Sequence, residues 1–243
     1  MMQIKEFLDL VKKRRSTRVL KPDPVPDEYI EDILEAARWA MSGANGQPWE
    51  FIVIRDQETK NKLAEAYLWD AETVSKVERT RLPEYFHPQF RLSDPADLSA
   101  SFLWRNAPVI IAVLGDARTM LASTMVARHF EEHTFTANLA NASFTIHLAA
   151  AALGLGAQWI SIIQPMSKMM KPILGVPPVH RLFTLIPIGY PVKQGVPYRR
   201  ELKEIVHYDK YDMSKYRSQD DILEFVKFLR RRHGEGKAYP RKD

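Results

Sequence analysis

Residues 42–55 read Ser-Gly-Ala-Asn-Gly-Gln-Pro and then Trp-Glu-Phe-Ile-Val-Ile-Arg, a polar loop that runs into an apolar segment. Two glycines and a proline interrupt regular structure in the first half, whereas the aromatic and β-branched residues of 49–55 predict a strand. Before the loop, a helix is predicted to begin at Pro26 or Asp27. Its buried face would consist of Ile30, Ile33, Leu34, Ala37 and Met41. The local order is therefore helix, polar loop, strand.

The rest of the chain continues this mixture of helices and strands. Apolar runs predict strands at residues 108–114, 157–163 and 182–188, with an edge strand at 202–206. Periodicity predicts helices at residues 60–69, 119–133, 136–153, 166–174 and 222–229. Because helices precede, interrupt and follow the strands without regular βαβ alternation, the predicted class is α+β. The glycine pattern of a Rossmann dinucleotide site does not follow a predicted strand.

The whole chain, residues 1–243, is predicted to form a single domain around one sizeable core. Residues 70–105 carry many charges, aromatic residues and prolines without clear periodicity, which predicts an irregular excursion or lid. A basic, proline-marked C-terminal arm is predicted from about residue 192.

The composition limits the chemistry available to the side chains. Hydrophobic residues make up 45% of the sequence and charged residues 27%, which is typical of a globular enzyme and excludes a disordered chain. The sequence contains no cysteine, which removes disulfides, thiolate nucleophiles, cysteine-ligated zinc and iron–sulfur clusters. Redox chemistry would therefore depend on a bound cofactor.

Hydropathy and charge limit the location and the partners. No apolar run is long enough to span a bilayer, and the N-terminus lacks the apolar core of a signal peptide, so the cytoplasm is the expected location and no membrane partner is expected. The net charge is +5, but the basic residues do not alternate with stacking aromatic residues, so no nucleic-acid partner is expected. Much of the positive charge lies in the C-terminal tail, which we interpret as a solvated end.

A polar cluster, Arg14-Arg15-Ser16-Thr17-Arg18, follows a short amphipathic helix whose apolar face contains Ile4, Phe7, Leu8 and Val11. One interpretation is a helix end, where the macrodipole favours cations by about 0.3–1 kcal/mol. The other is a phosphate site, because guanidinium groups and a hydroxyl donate well to phosphate oxygens. The local sequence does not decide between them.

Four motifs together resemble the nitroreductase family of FMN enzymes. They are RRSTR at 14–18, SGANGQPWEF at 42–51, GLGA at 154–157 and LIPIGYP at 185–191, in the family's order. The resemblance extends over about residues 4–55 and 106–208. It implies an α+β sandwich with a mostly antiparallel central sheet flanked by helices. It also implies a homodimer with a long helix at its centre and two FMN sites at the subunit interface.

The resemblance assigns one group of residues to the phosphorylated tail of FMN and another to its ring. The residues that would contact the phosphate and ribityl chain are Arg14, Arg15 and Ser16. Arg18 would approach the N1 and O2 side of the flavin, where a cation stabilises the negative charge that accumulates on reduction. The residues that would line the ring or the ribityl chain, in part from the partner subunit, are Ser42, Gly43, Asn45, Gln47, Trp159, Ile160 and Ser161. The late basic residues that would return to the phosphate are Arg199 and Arg200.

For the reaction, the resemblance implies a ping-pong exchange in which NADH or NADPH reduces the flavin and an electron-poor aromatic compound, such as a nitro compound or a quinone, then takes the electrons. No catalytic acid or base is assigned. The side chains that would line the open face are Trp69, Trp104 and Phe130. Nitro-reducing members often carry an acidic residue and a glycine where this chain has Ile162, Ile163 and Gln164. Residues 159–161 resemble more closely the flavin-destructase and dehalogenase branches, which stay open as alternatives.

Two further classes of function are open. Residues 129–133 match the H-x-x-E-H pattern of inverted zinc proteases, with His129 and His133 as metal ligands and Glu132 as the base. A third ligand, such as Glu201 or Glu204, would have to converge on them, and the favoured prediction contains no metal. The other class is a flavin-binding protein without turnover.

Overall fold

The computed structural model describes residues 3–78, 103–122, 131–195 and 197–235. In chain order the helices and strands are α1 (Ile4–Lys13), β1 (Val19–Leu20), α2 (Asp27–Arg38), β2 (Trp49–Ile54), α3 (Gln57–Glu78), β3 (Val109–Asp116), α4 (Glu131–Ala152), β4 (Gly156–Ala157), β5 (Ile160–Ser161), α5 (Gln164–Ile173), β6 (His180–Gly189), β7 (Pro191–Lys193), α6 (Leu202–Ile205) and α7 (Gln219–Glu235). The contacts divide the chain into two units, Met1–Gln194 and Gly195–Asp243. The second unit begins close to the predicted start of the C-terminal arm.

A five-stranded antiparallel sheet lies at the centre of the first unit. Its strand order is β2-β3-β6-β4, and β5 also pairs with β6. Val109 lies opposite Ile188, and Ile160 lies opposite Leu185. The sequence predicted one strand at 157–163, but the chain forms two short strands, and the Gln158 amide between them donates to the Pro187 carbonyl at 3.2 Å.

The burial pattern of β3 explains the two helical layers. Its residues from Val109 to Leu114 are all buried, and successive strand residues point to opposite faces of the sheet. One face packs against α2 and α4 in a cluster that includes Ile111, Ile33 and Leu139. The other face packs against α3 and α5 in a cluster that includes Ile110, Leu63 and Met170. The predicted α+β class, with a mostly antiparallel sheet flanked by helices, is confirmed.

Two sequence predictions about local structure are wrong. Residues 202–206 form the single helical turn α6 instead of an edge strand, with the Val206 amide donating to the Leu202 carbonyl at 3.1 Å. Leu202 and Ile205 are spaced by three residues, which fits one face of a helical turn. Residues 70–78 belong to α3 and not to an irregular excursion. They contain good helix formers, and the first proline comes only at Pro83.

Several predicted features lie outside the described residues. They include residues 79–102 of the excursion, the middle of the helix predicted at 119–133, and the tail from residue 236. The part of the predicted helix that is described forms a 3₁₀ turn at Ala117–Ala122, and α4 begins at Glu131.

Two smaller features complete the described chain. β1 pairs with β7, with Val19 opposite Lys193, in a two-stranded sheet that the sequence did not predict. Within the second unit, the rings of Tyr198 and Phe228 meet edge to face at 5.1 Å between centroids. Among the described residues, no helix has the length and apolar character needed to cross a membrane.

Candidate functional site

The segment Arg14–Arg18 leaves the end of α1 and runs beside β4. Arg14 ends the helix because its ψ of 129° turns the chain into an extended conformation. Ser16 then forms a parallel bridge with Ala157, and the Thr17 amide donates to the Ala157 carbonyl at 2.9 Å. Backbone hydrogen bonds to the sheet therefore fix the position of the polar cluster.

The side chains of this cluster differ in their surroundings. Arg14 and Arg15 are half-buried, whereas Ser16 and Arg18 are exposed. The Arg15 guanidinium donates to the Lys12 carbonyl and, at 2.7 Å, to the Arg14 carbonyl. Arg15 thus caps carbonyl groups at the end of α1, as the helix-end interpretation predicted.

Thr17 is fully buried against a glycine of β4. A Cβ atom added to Gly156 would lie 2.7 Å from the Thr17 Cβ and 2.8 Å from its Oγ1. The Thr17 Oγ1 has no hydrogen-bond partner within the described part of the chain. The close approach of these two residues holds the cluster against the sheet.

Gly156→Ala is expected to destabilise the protein by about 1–3 kcal/mol, because the new methyl group must displace Thr17 and the segment that carries it. Urea unfolding measures the change. Gly195→Ala is the matched control, since nothing lies within 4 Å of a Cβ atom at Gly195. Equal stability of the two variants would show that Gly156 does not constrain the cluster.

The loop of residues 42–47 adopts an unusual backbone. Ala44, Asn45 and Gln47 have positive φ values of 52°, 53° and 43°, in the left-handed region that costs non-glycine residues about 1 kcal/mol or more each. Such strain is found most often at binding and catalytic sites. The exposed members of the predicted set are Gly43, Asn45 and Gln47, whereas Ser42 is half-buried.

Two asparagines of α4 hold this loop in place. The Gly43 amide donates to the Asn138 Oδ1 at 3.1 Å, and the Asn141 Nδ2 donates to the Met41 carbonyl at 3.1 Å. Neither asparagine was predicted from the sequence. The one feature of the sequence that could have identified them is the presence of two amide side chains among mostly small and apolar residues.

Trp159 lies in a group of aromatic rings that also includes a buried histidine. Its ring stacks on His147 of α4 with centroids 6.3 Å apart, and it meets Phe183 edge to face at 5.4 Å. His147 is 5% exposed, and neither of its ring nitrogens has a hydrogen-bond partner among the described residues. Burial, assisted by the positive charge of Arg14, lowers the pKa of His147 to about 4. The structure therefore brings Arg14 and Trp159 to the same neutral imidazole.

Ile160 and Ser161 follow Trp159 in β5. The Ile160 side chain is buried in the core, and its carbonyl accepts from the Thr184 Oγ1 at 2.8 Å. Ser161 is exposed and lines a cavity of about 330 Å³ together with Trp159 and Gln164. Ser161 is therefore accessible from this cavity, whereas the Ile160 side chain belongs to the core.

Three residues were predicted to line an open face, and the two that the structure describes differ in exposure. Trp104 is 2% exposed and packs in the core, where its ring meets Tyr67, so its position does not fit the predicted role. Because Trp104 follows a charged, proline-rich segment, its sequence context suggests a surface position. The core between the sheet and its helices also needs large apolar side chains, and Trp104 is one of them. Trp69 is 56% exposed on α3. Phe130 lies outside the described residues.

The two late arginines belong to the second unit. The Arg199 Nη1 donates to the Tyr198 carbonyl at 2.6 Å. The Arg200 Nη2 donates to the Glu204 carbonyl at 3.0 Å, and its Nε lies 3.5 Å from the Glu204 carboxylate. Their return to a phosphate stays a prediction.

Glu132, the base of the zinc alternative, has a different partner. Its Oε2 accepts from the Arg181 Nη2 at 2.6 Å, and this pairing lowers the pKa of Glu132. His129 lies outside the described residues, and the described ones contain no group of three or more candidate ligands that could hold a metal ion. A carboxylate paired with arginine is a weak base, which counts against the zinc mechanism.

Comparison with known proteins adds a family and relatives. The chain matches the model of the Nitroreductase family over residues 11–190. It is 31% identical over 202 residues to an NADH dehydrogenase of Thermus thermophilus, covering 80% of this chain and 91% of that one. It is 28% identical over 199 residues to iodotyrosine deiodinase 1 of Mus musculus, covering 80% of this chain but only 65% of the mouse protein. The crystal structure of oxidised iodotyrosine deiodinase bound to FMN and 3-iodo-L-tyrosine is similar, with a TM-score of 0.61 at 25% identity over 84% of this chain and 99% of that one.

Proposed function

The chain belongs to the nitroreductase family of FMN-dependent oxidoreductases, and we propose that it takes electrons from NADH or NADPH and passes them to an electron-poor aromatic compound, such as a nitro compound or a quinone. The name of the Thermus relative supports a nicotinamide donor. The FMN in the similar deiodinase structure supports the cofactor.

The observation that carries the proposal is the fixed position of the Arg14–Arg18 segment beside β4. The backbone bridge to Ala157 holds the segment, which lies beside the strand that continues to Trp159 and Ser161. Thr17 Oγ1 adds a buried hydroxyl without a partner in the described chain. Because the backbone that carries these donors is already fixed, it need not reorganise when a phosphate binds, so these residues fit the tail of FMN.

Bound FMN would supply the electron transfer, and the protein would supply binding, orientation and charge. In this proposal Arg14 and Ser16 donate to the phosphate. Arg15 joins them by exchanging its carbonyl partners for phosphate oxygens. Arg18 places a cation beside the pyrimidine edge of the flavin. No side chain is assigned as a proton donor.

The proposal includes a homodimer in which the partner contributes to each FMN site. Exposed apolar side chains of the first unit support the homodimer, since a second chain would remove large apolar side chains from water. They are Ile4 of α1, Trp39 and Met41 before the 42–47 loop, and Phe144 of α4. Sedimentation of the flavin-loaded protein is expected to give a dimer, and a flavin-loaded monomer would contradict the shared site.

Initial rates measured against NADH or NADPH and a quinone or nitroaromatic acceptor test the reaction. Parallel lines in double-reciprocal plots are expected, because the donor leaves before the acceptor binds. No turnover with any acceptor would favour a flavin-binding protein without catalysis. A second candidate, reductive dehalogenation, is supported by the named deiodinase relative. Faster release of iodide from an iodophenol than reduction of quinones would favour that candidate.

A further inference from the structure

Two cavities of the first unit adjoin along α5. The cavity of about 330 Å³ that contains Trp159 and Ser161 shares Gln164, Ser167 and Arg181 with a second cavity of about 520 Å³. The second cavity extends along α5 away from Trp159. Cavities of this size accommodate a small organic molecule. We call the two together the α5 groove.

The charges that line the α5 groove are mostly positive. Lys168 and Lys171 come from α5 and Arg181 from β6, while Glu132 from α4 is the carboxylate among the described lining residues. His180 also lines the groove, with its Nε2 3.1 Å from Glu50 and 3.9 Å from Asp116. Glu50 and Asp116 contact His180 but do not line the groove. Among the lining side chains three cations outnumber one carboxylate, so the groove attracts anions.

Arg181 is held rigidly where the two cavities meet. Glu132 accepts from both of its terminal nitrogens, the Thr136 Oγ1 lies 3.5 Å from Nη1, and the guanidinium lies 5.1 Å from the centre of the Phe135 ring. The Glu132 carboxylate and the Thr136 hydroxyl use three of the five guanidinium N–H groups, so two stay available to a ligand. A fixed guanidinium loses little entropy when it binds an anion.

We propose that the α5 groove binds the anionic end of a small molecule whose reacting ring reaches the flavin beside Trp159 and Ser161. The inference rests on the proposed function, because it assumes that the reaction takes place beside β5. The anion is a phosphate or a carboxylate. It belongs to the pyrophosphate of the nicotinamide donor or to an acidic group on an aromatic acceptor. Lys171 donates to the Pro178 carbonyl and Arg181 to Glu132, so Lys168, on the exposed side of the groove, is the cation chosen to test the proposal.

The test compares Lys168→Gln and Lys168→Glu in the flavin-loaded protein. Lys62→Gln is the control, because Lys62 is an exposed lysine of α3 that pairs with Glu58 away from the groove. Rapid-mixing reduction gives the dissociation constant of NADPH, which we expect to rise about fivefold in Lys168→Gln and further in Lys168→Glu. The constant for 1-benzyl-1,4-dihydronicotinamide, which has no phosphate, is expected to stay unchanged.

A second arm identifies an acceptor as the source of the anion. In that case the preference for 4-nitrobenzoate over nitrobenzene, as a ratio of kcat/KM values, falls about fivefold in Lys168→Gln while NADPH binding is unchanged. Unchanged values in both arms for both Lys168 variants would overturn the proposal.

Calorimetric titration with inorganic pyrophosphate separates this inference from the proposed function. The titration needs no turnover, and Lys168→Glu is expected to weaken pyrophosphate binding whereas Lys62→Gln is not. If the protein shows no turnover but pyrophosphate binding depends on Lys168, the anion site in the α5 groove is supported and the proposed function is contradicted. If turnover is found and pyrophosphate binding does not depend on Lys168, the anion site in the α5 groove is contradicted and the proposed function is supported.

Discussion

Arg14→Ala is expected to weaken FMN binding by about 30-fold, because a charge-assisted hydrogen bond to a phosphate contributes about 2 kcal/mol. The dissociation constant is measured by fluorescence quenching as FMN is added to the apoprotein. Lys13→Ala is the matched control, since Lys13 is the adjacent cation in the last turn of α1. If the cluster only balances the helix dipole, both substitutions change FMN binding little and to the same extent.

A substitution of Arg199 tests the late phosphate contact that the sequence predicts. Adding Arg199→Ala to Arg14→Ala is expected to weaken FMN binding further, as a second lost phosphate contact requires. An affinity equal to that of the single variant would remove Arg199 from the site and leave the family assignment intact. Urea unfolding of each variant shows whether a lost affinity reflects a lost fold.

His147 is expected to make the protein less stable as the pH falls. Its pKa in the folded protein, about 4, lies below the ordinary value of 6.5, because burial and the charge of Arg14 oppose protonation. The His147 imidazole is therefore protonated below about pH 6.5 in the unfolded chain but only below about pH 4 in the folded protein. This group alone lowers the free energy of unfolding by about 2 kcal/mol between about pH 7.5 and about pH 5.

Urea unfolding of His147→Phe at both pH values measures this contribution, because phenylalanine keeps an aromatic ring beside Trp159 but does not titrate. The variant is expected to lose about 2 kcal/mol less than the wild-type protein between the two pH values. His133→Gln, which changes an exposed histidine of the same helix, is expected to follow the wild type. Equal pH dependence in His147→Phe and the wild type would show that His147 is not held neutral.

The sheet could be predicted from the sequence because its central strands leave unambiguous patterns. β3 is buried on both faces and therefore appears as a continuous apolar run between Pro108 and Asp116. β4 and β5 are too short to leave such a pattern, so the sequence suggested one strand where two exist. α6 is also too short to show a period, because in its four residues Leu202 and Ile205 merely flank two charged residues.

A candidate site could be proposed from the sequence where its residues form motifs, and not where residues come together only in the fold. The Arg14–Arg18 cluster and the 42–47 loop are each contiguous, and their order along the chain indicated a cofactor site. Nothing in the sequence connects Asn138 with Gly43, 95 residues away. His147 looked like one polar residue in an apolar helix, and its contact with Trp159 depends on how α4 packs on the sheet.

The most direct test of the central claim is anaerobic titration of the purified, FMN-reconstituted protein. The account predicts about one FMN bound per chain, loss of the flavin's visible absorption when NADH or NADPH is added, and its return when a quinone or nitroaromatic compound follows. A colourless protein that does not bind added FMN would contradict the account.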